Sequence, residues 1–255
     1  MTTDPRLRFA PTAVNYVRSA IHAQGDDLPK LAALAERLQP ALVLDVATGG
    51  GHTALAVAPH ARHVIAYDLT REMLQAAREY IAARGAPNVV LVEGDAAHLP
   101  FASGAFDLVT CRVASHHFAD VPAFCREAAR VLRRSGSLAI VDILGHEDAT
   151  FDEFLHDIEV RRDPSHVRNL PPSAWRRILR EAGFSVSTIE TFRRLHDYED
   201  WMERQHVPPN TRVEIARDML AAPPSVREHY RIEPGGPSGV ESFETDLGLV
   251  LAVRN

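Results

Sequence analysis

From residue 41 to 143 the chain alternates two hydrophobic patterns. Short apolar runs at 41–46, 63–68, 88–93, 106–111 and 137–143 read as strands. Between them lie longer stretches whose apolar positions recur every three to four residues. In TREMLQAAREYIAARG, Met73, Leu74, Ala77 and Ile81 share one helical face and Gly85 marks the stop. VPAFCREAARVLRRSG reads as an arginine-tipped helix closed by Gly136. Strands alternating with amphipathic helices predict βα units around a parallel sheet covered on both faces.

Beyond residue 143 the rhythm loosens. The spacing predicts helices over 148–162 and 172–183 and a strand over 184–192. Residues 197–231 hold three short helical pieces, YEDWMERQ, TRVEIARDMLAA and SVREHYRI, broken by Pro208-Pro209 and Pro223-Pro224. A glycine-proline turn precedes a last strand near 247–253. The sheet pattern is interrupted and then resumes, so one α/β domain is expected in four parts. These are N-terminal helices (1–40), a core (41–196), a helical insertion or cap (197–240) and a final strand (241–255).

With 255 residues, 45% hydrophobic and 24% charged, the chain supports one sizeable core. Its net charge of -6 argues against a dedicated nucleic-acid binder. Cys111 and Cys125 have no C-x-x-C partner or zinc-spaced histidine, so buried free thiols are expected and no metal site. The opening MTTDPRLRFAP carries no apolar signal segment, and no run approaches membrane-spanning length. These features together read as a cytoplasmic protein without a membrane span.

The most informative segment is VLDVATGGGHTAL, residues 43–55. A strand carrying Asp45 runs into Ala47, Gly49, Gly50 and Gly51, and a helix begins near His52. Glycines there let the backbone turn tightly and approach a ligand that a Cβ would exclude. Asp68 ends the second strand, where a carboxylate accepts both hydroxyls of a ribose; that placement suits NAD and S-adenosylmethionine equally. The dinucleotide fingerprint G-x-G-x-x-G is absent: Gly49 and Gly51 are followed by Leu55 and Ala56, with no third glycine. Asp95, ending the third strand beside Ala96, is placed to accept from an adenine amino group. An acid after each of three successive strands matches an adenosyl ligand across their carboxyl ends.

LDVATGGGHTAL, AYDLTREML, EGDAAHLPF, FDLVTCRVASHHFAD and VLRRSGSLAIVD stand in the order and spacing of the class I methyltransferases. Over residues 41–143 the chain closely resembles their ubiquinone/menaquinone-biosynthesis type. The resemblance implies a Rossmann-like seven-stranded sheet with S-adenosyl-L-methionine held by Ala47, Gly49 and Gly51, by Asp68, Leu69 and Met73, and by Asp95 and Ala96. It also implies that backbone near Arg112 meets the methionine end of the cofactor, with Asp45 under the glycine loop. YVRSAIHAQGDDLPKL and DIEVRRDPSHVRNLPPSAWRRILREAGF extend the likeness without naming a substrate. Transfer to a small, aromatic or quinone-like metabolite is the expected activity. A same-fold reaction without methylation, such as a rearrangement or decarboxylation, is the alternative, with an NAD(P)-dependent oxidoreductase behind it.

Methyl transfer needs alignment and exclusion of water, and a general base only where the acceptor must lose a proton. His116 and His117, after the fourth strand, are the candidate bases, with packing or helix capping as the plainer role. Arg161, Arg162, Asp163 and His166 form a second cluster, in which Arg162 or His166 is placed to bind an acidic or phenolic acceptor. A salt-bridged surface turn is the alternative there. Tyr16 and His22 are candidates to close over the cofactor, with ordinary helix packing as the equal alternative. Trp201, Met202, Met219, Leu220 and Tyr230 in the cap are expected to offer an apolar lining, or else a homodimer interface.

Overall fold

The computed structural model describes residues 5–10, 25 and 27–255. Tyr16 and His22 lie outside the described residues. Val43, Leu44 and Val46 of β1 (Leu42–Val46) are wholly buried, as a central strand covered on both faces must be. Its neighbours are β2 (His63–Asp68), β3 (Val89–Glu93), β4 (Phe106–Arg112) and β5 (Leu132–Ile143), all parallel. Two long antiparallel strands complete the sheet: β6 (Phe184–Asp197) and β8 (Gly239–Arg254), with short β7 (Glu233–Gly235) hairpinned onto β8. Among the described residues the sheet has eight strands, with seven in the order β3-β2-β1-β4-β5-β8-β6.

The strand order reverses between β1 and β4, and a crevice opens there at the strands' carboxyl ends. The described helices are α1 (Pro5–Phe9), α2 (Asp27–Leu38), α3 (His52–Val57), α4 (Arg71–Ala82), α5 (Val121–Val131), α6 (Ala149–Arg162), α7 (Pro172–Glu181), α8 (Tyr198–Glu203), α9 (Pro209–Ala221) and α10 (Pro224–His229). Two hydrophobic clusters lie on opposite faces of the sheet. One joins α2, α3, α6 and the cap helices; the other joins α5 and α7 around Phe124, Trp175 and Phe184. Cys111 and Cys125 are buried free thiols, and burial pushes the Cys125 thiol up to about 12.

Two boundaries differ from the sequence pattern. α5 ends at Val131 rather than Gly136, because Leu132 is claimed by the sheet opposite Phe106 while 133–136 bulge out of register. β6 continues past Phe192 to Asp197, and β8 starts at Gly239. Their outer ends form an arch that carries α8, α9 and α10, with Pro209 and Pro224 opening the last two.

The expected apolar lining of the cap is corrected here. Met202 and Met219 are fully buried, Tyr230 is 2% exposed and Leu220 packs beside them, all in the core between arch and sheet. These short helices bury their apolar faces against Val240, Phe243 and Leu247, so of that set only Trp201 reaches the cavity.

Candidate active site

The loop after β1 is built from beneath. Asp45 is 1% exposed and accepts from Thr48 Oγ1 and Thr110 Oγ1, each at 2.6 Å. Burial holds its pKa up to about 6. Asp45 therefore anchors the loop and does not line the cavity. Ala47 takes φ 53°, a left-handed conformation costly for a residue with a Cβ. Gly49 at φ 54° has nothing within 4 Å of a Cβ position, so its backbone faces open space. Gly51 is the N-cap of α3, and a Cβ there would meet Ile81 Cδ1 at 2.8 Å.

Asp68 lines the crevice while its two oxygens accept from Gly49 N at 2.8 Å and Thr70 N at 2.9 Å. It thereby ties the β1 and β2 loops together, and a carboxylate still has lone pairs for further donors. Leu69, Met73, Asp95 and Ala96 line the same end. Gly94 is one position that sequence reasoning missed: a Cβ there would stand 2.0 Å from Tyr67 Oη. Tyr67 donates to the Asp95 carbonyl at 3.2 Å and so shapes the Asp95 loop. Arg112 is ion-paired with Asp27 of α2 (Nη2 to Oδ1, 3.2 Å), and the next residue, Val113, takes φ 52°. Strain of that kind in a β-branched residue concentrates at functional sites.

The other end of the cavity gathers polar groups from β4, β5, α6, β6 and α8. His116 Nδ1 lies 2.6 Å from Asp142 Oδ1, at the carboxyl end of β5. Asp142 also accepts from Ile143 N, His116 N and the Ser115 hydroxyl. Burial raises its pKa, but the His116 charge and these bonds outweigh that, holding it down to about 2. For His116, burial lowers the pKa and the Asp142 carboxylate more than reverses it, so the net shift is upward.

His117 and His166 lie close by, with ring centroids 4.2 and 5.4 Å from that of His116. Burial, then the neighbouring His116, lowers His117 to about 4 and His166 to about 2. His117 Nδ1 sits 3.1 Å from the Ser165 carbonyl, and Phe9 of α1 packs edge-on at 5.0 Å. Asp120, not a histidine, caps α5 through Ala123 N.

The second sequence cluster divides. Arg161 points away and pairs with Asp157 and Asp218. Arg162 lines the cavity, its guanidinium 4.3 Å from the Trp201 ring and its Nε donating to the Trp201 carbonyl. Asp163 ends α6 and accepts from Ser165 N and Oγ, the backbone-bonding turn its place before Pro164 suggests. Asp142, Glu159, Arg194, His196, Arg204 and Gln205 also line or flank this end, and none was singled out from sequence. Asp142 was discoverable, as a fourth acid at a strand's carboxyl end in a motif already recognised.

The whole cavity measures about 530 Å³, within the roughly 300–1,000 Å³ usual for ligand pockets. Among the described residues no cluster is arranged to hold a metal ion, and no helix is long and apolar enough to cross a membrane.

Residues 44–140 match the model of the methyltransferase domain. YcgJ of Bacillus subtilis strain 168, an uncharacterized methyltransferase, is 34% identical over 224 residues, 88% of each chain. A solved methyltransferase structure from Bacillus halodurans is 38% identical, with TM-score 0.86 over 90% of this chain and 99% of that one. A demethylmenaquinone methyltransferase of Thermus thermophilus is 39% identical over 111 residues, 43% of this chain and 50% of its own. The chain belongs to the class I S-adenosylmethionine-dependent methyltransferases.

Proposed function

We propose that this enzyme methylates a hydroxyl group on a small aromatic acceptor, with His116 as general base and Asp142 as the group that positions it. The observation that carries this is the 2.6 Å contact from His116 Nδ1 to a carboxylate that already accepts three other hydrogen bonds. Asp142 is thereby fixed in place and stays ionised. It selects the tautomer with hydrogen on Nδ1, which leaves the Nε2 lone pair to accept a proton. A phenolic hydroxyl is a poor nucleophile until it loses that proton, so an oriented imidazole at the acceptor end has a chemical task.

When bound, S-adenosylmethionine supplies a methyl group on a positively charged sulfur, electrophilic without further activation. The residues that would hold it are Ala47, Gly49, Asp68, Leu69, Met73, Asp95, Ala96 and Arg112, with Gly51 and Asp45 supporting the loop. They fit an adenosyl ligand: two carboxylates after successive strands line one end of the cavity, beside an open glycine backbone and the side chains of Leu69 and Met73. His117 and His166 stay uncharged beside His116, so of these three imidazoles His116 is the one that gains and loses a proton near neutral pH. Phe9, Phe118 and Trp201 give that end surfaces for an aromatic ring.

The test is transfer of a labelled methyl group from S-adenosylmethionine to a panel of phenols, catechols and hydroquinones, with the product located by mass spectrometry. An O-methylated product is expected, formed with stoichiometric S-adenosylhomocysteine. His116→Asn should lower kcat by about 10²–10⁴ while leaving S-adenosylhomocysteine affinity intact. Wild-type kcat should rise with pH through a His116 pKa above 6.5, and Asp142→Asn should move that limb to lower pH. Full activity in His116→Asn would end the base assignment, and a ring-methylated or unmethylated product would end the hydroxyl assignment.

A further inference from the structure

Methyl transfer as described leaves several cavity residues unused, Arg194 and His196 among them. β6 passes beyond the body of the sheet as FRRLHD, and strand alternation puts Arg194 and His196 on one face, Arg193 and Leu195 on the other. The outward pair is explained: Arg193 bonds Glu244 and Asp246, and Leu195 is 65% exposed. The inward pair lines the cavity at its acceptor end.

Arg194 stands apart from the arginines around it. Arg112 is paired with Asp27, Arg162 lies over Trp201, and Arg193 has two carboxylates. Arg194 makes no ion pair or side-chain hydrogen bond among the described residues. Burial, and then the Arg112 charge, press its pKa down to about 10, so it remains a cation at neutral pH. Asp27 and Asp142 attract it from beyond ion-pair distance, but no carboxylate among the described residues touches it. A half-buried cation so placed is under-compensated, and a ligand anion would relieve it.

His196 is 5% exposed and stacks on Phe243 at 4.8 Å. Its Nε2 lies 2.9 Å from Thr245 Oγ1, and its Nδ1 is buried without a hydrogen-bond partner. Burial and the charge of Arg194 keep this ring neutral. If the Thr245 hydroxyl donates to Nε2, Nδ1 carries hydrogen and becomes a second donor on the same face as Arg194.

We propose that Arg194 and His196 form a carboxylate-binding subsite, so that the acceptor is an aromatic hydroxy acid rather than a neutral phenol. This rests on the proposed hydroxyl methylation at His116. A guanidinium with no ion pair among the described residues, beside a neutral imidazole, matches a single negative charge, and the planar guanidinium presents paired N–H donors to a carboxylate's two oxygens. Arg194 belongs to β6, beyond β5 and β8, whereas the adenosyl ligand would lie on the loops after β1, β2 and β3.

The experiment titrates the full chain, saturated with S-adenosylhomocysteine, with hydroxybenzoates and hydroxynaphthoates and with their matching carboxamides. The best acid should bind at least about tenfold more tightly than its amide, as a charge-assisted pair replaces a neutral one. Arg194→Gln should erase that preference without weakening amide or S-adenosylhomocysteine binding. The wild-type acid-to-amide ratio stands even if that variant misfolds. No acid preference in any wild-type pair, or a preference that survives Arg194→Gln, overturns the proposal. A tenfold loss of S-adenosylhomocysteine affinity in Arg194→Gln also overturns it, by giving the guanidinium to the cofactor's own carboxylate. Acid-selective binding without methyl transfer would leave the subsite standing and remove the hydroxyl-methylation reading. Equal transfer to neutral phenols would do the reverse.

Discussion

Single residues in this cavity are constrained for different physical reasons, and substitution separates them. Gly94 is required by space: its Cβ position stands 2.0 Å from Tyr67 Oη and 2.5 Å from Cζ. Tyr67 is 1% exposed and hydrogen-bonded, so its ring has nowhere to swing. Gly94→Ala should cost about 1–3 kcal/mol, the usual penalty of overpacking, and should weaken S-adenosylhomocysteine binding by displacing the Asp95 loop. Ala47 presents the opposite case, since its positive φ is the conformation glycine tolerates. Ala47→Gly should leave stability within about 1 kcal/mol of wild type. Denaturant midpoints and calorimetric titration of both variants check this, and a fully stable, tight-binding Gly94→Ala would refute the steric account.

At the scale of elements, legibility followed how local the determining pattern was. β1, β2 and the glycine loop were readable because continuous burial and a tight turn leave marks within a dozen residues. Gly94 left no such mark, since its constraint comes from a tyrosine 27 positions away in sequence. α5 was read too long because Leu132 fits a helical stripe as well as a strand, and its pairing with Phe106 decides the matter. Arg194 and His196 stand in plain alternation, but the apolar run ends at Phe192, and the arch that prolongs the strand is set by distant β8. The cap's apolar residues were correctly seen as apolar and wrongly aimed. They serve the arch, whose centre is Phe243, fully buried and packed on His196 at 4.8 Å and Trp201 at 4.9 Å. Phe243→Ala should cost about 3–5 kcal/mol yet preserve S-adenosylhomocysteine affinity in the folded fraction, because the cofactor loops belong to other strands. Loss of affinity at unchanged stability would contradict that division.

Across the whole molecule, the concentration of uncharged imidazoles has a cost that pH exposes. His117 and His166 titrate at about 4 and about 2 in the folded chain, and burial holds His196 well below its ordinary 6.5. As pH falls below 6.5, the unfolded chain takes up protons at all three while the folded chain does not, so stability must fall. Asp45 acts in the opposite sense. Held up to about 6 against an ordinary 3.8, it binds a proton in the folded state first, and it offsets one histidine between those values. His116, shifted upward, is protonated in both states at low pH; its contribution is lost only as pH rises through its folded value. For these three histidines and Asp45 taken alone, the unfolded state holds about two protons in excess near pH 5, a slope of about 2–3 kcal/mol per pH unit. His229, lowered by burial, adds to it, while Asp68 and Glu159, raised by burial, subtract. Urea unfolding at fixed ionic strength should therefore show a clearly lower midpoint at pH 5 than at pH 7.5. Equal or greater stability at pH 5 would mean that these imidazoles take up protons without opening the fold. The acceptor end would then carry several charges where the proposed mechanism needs His116 alone to gain and lose one.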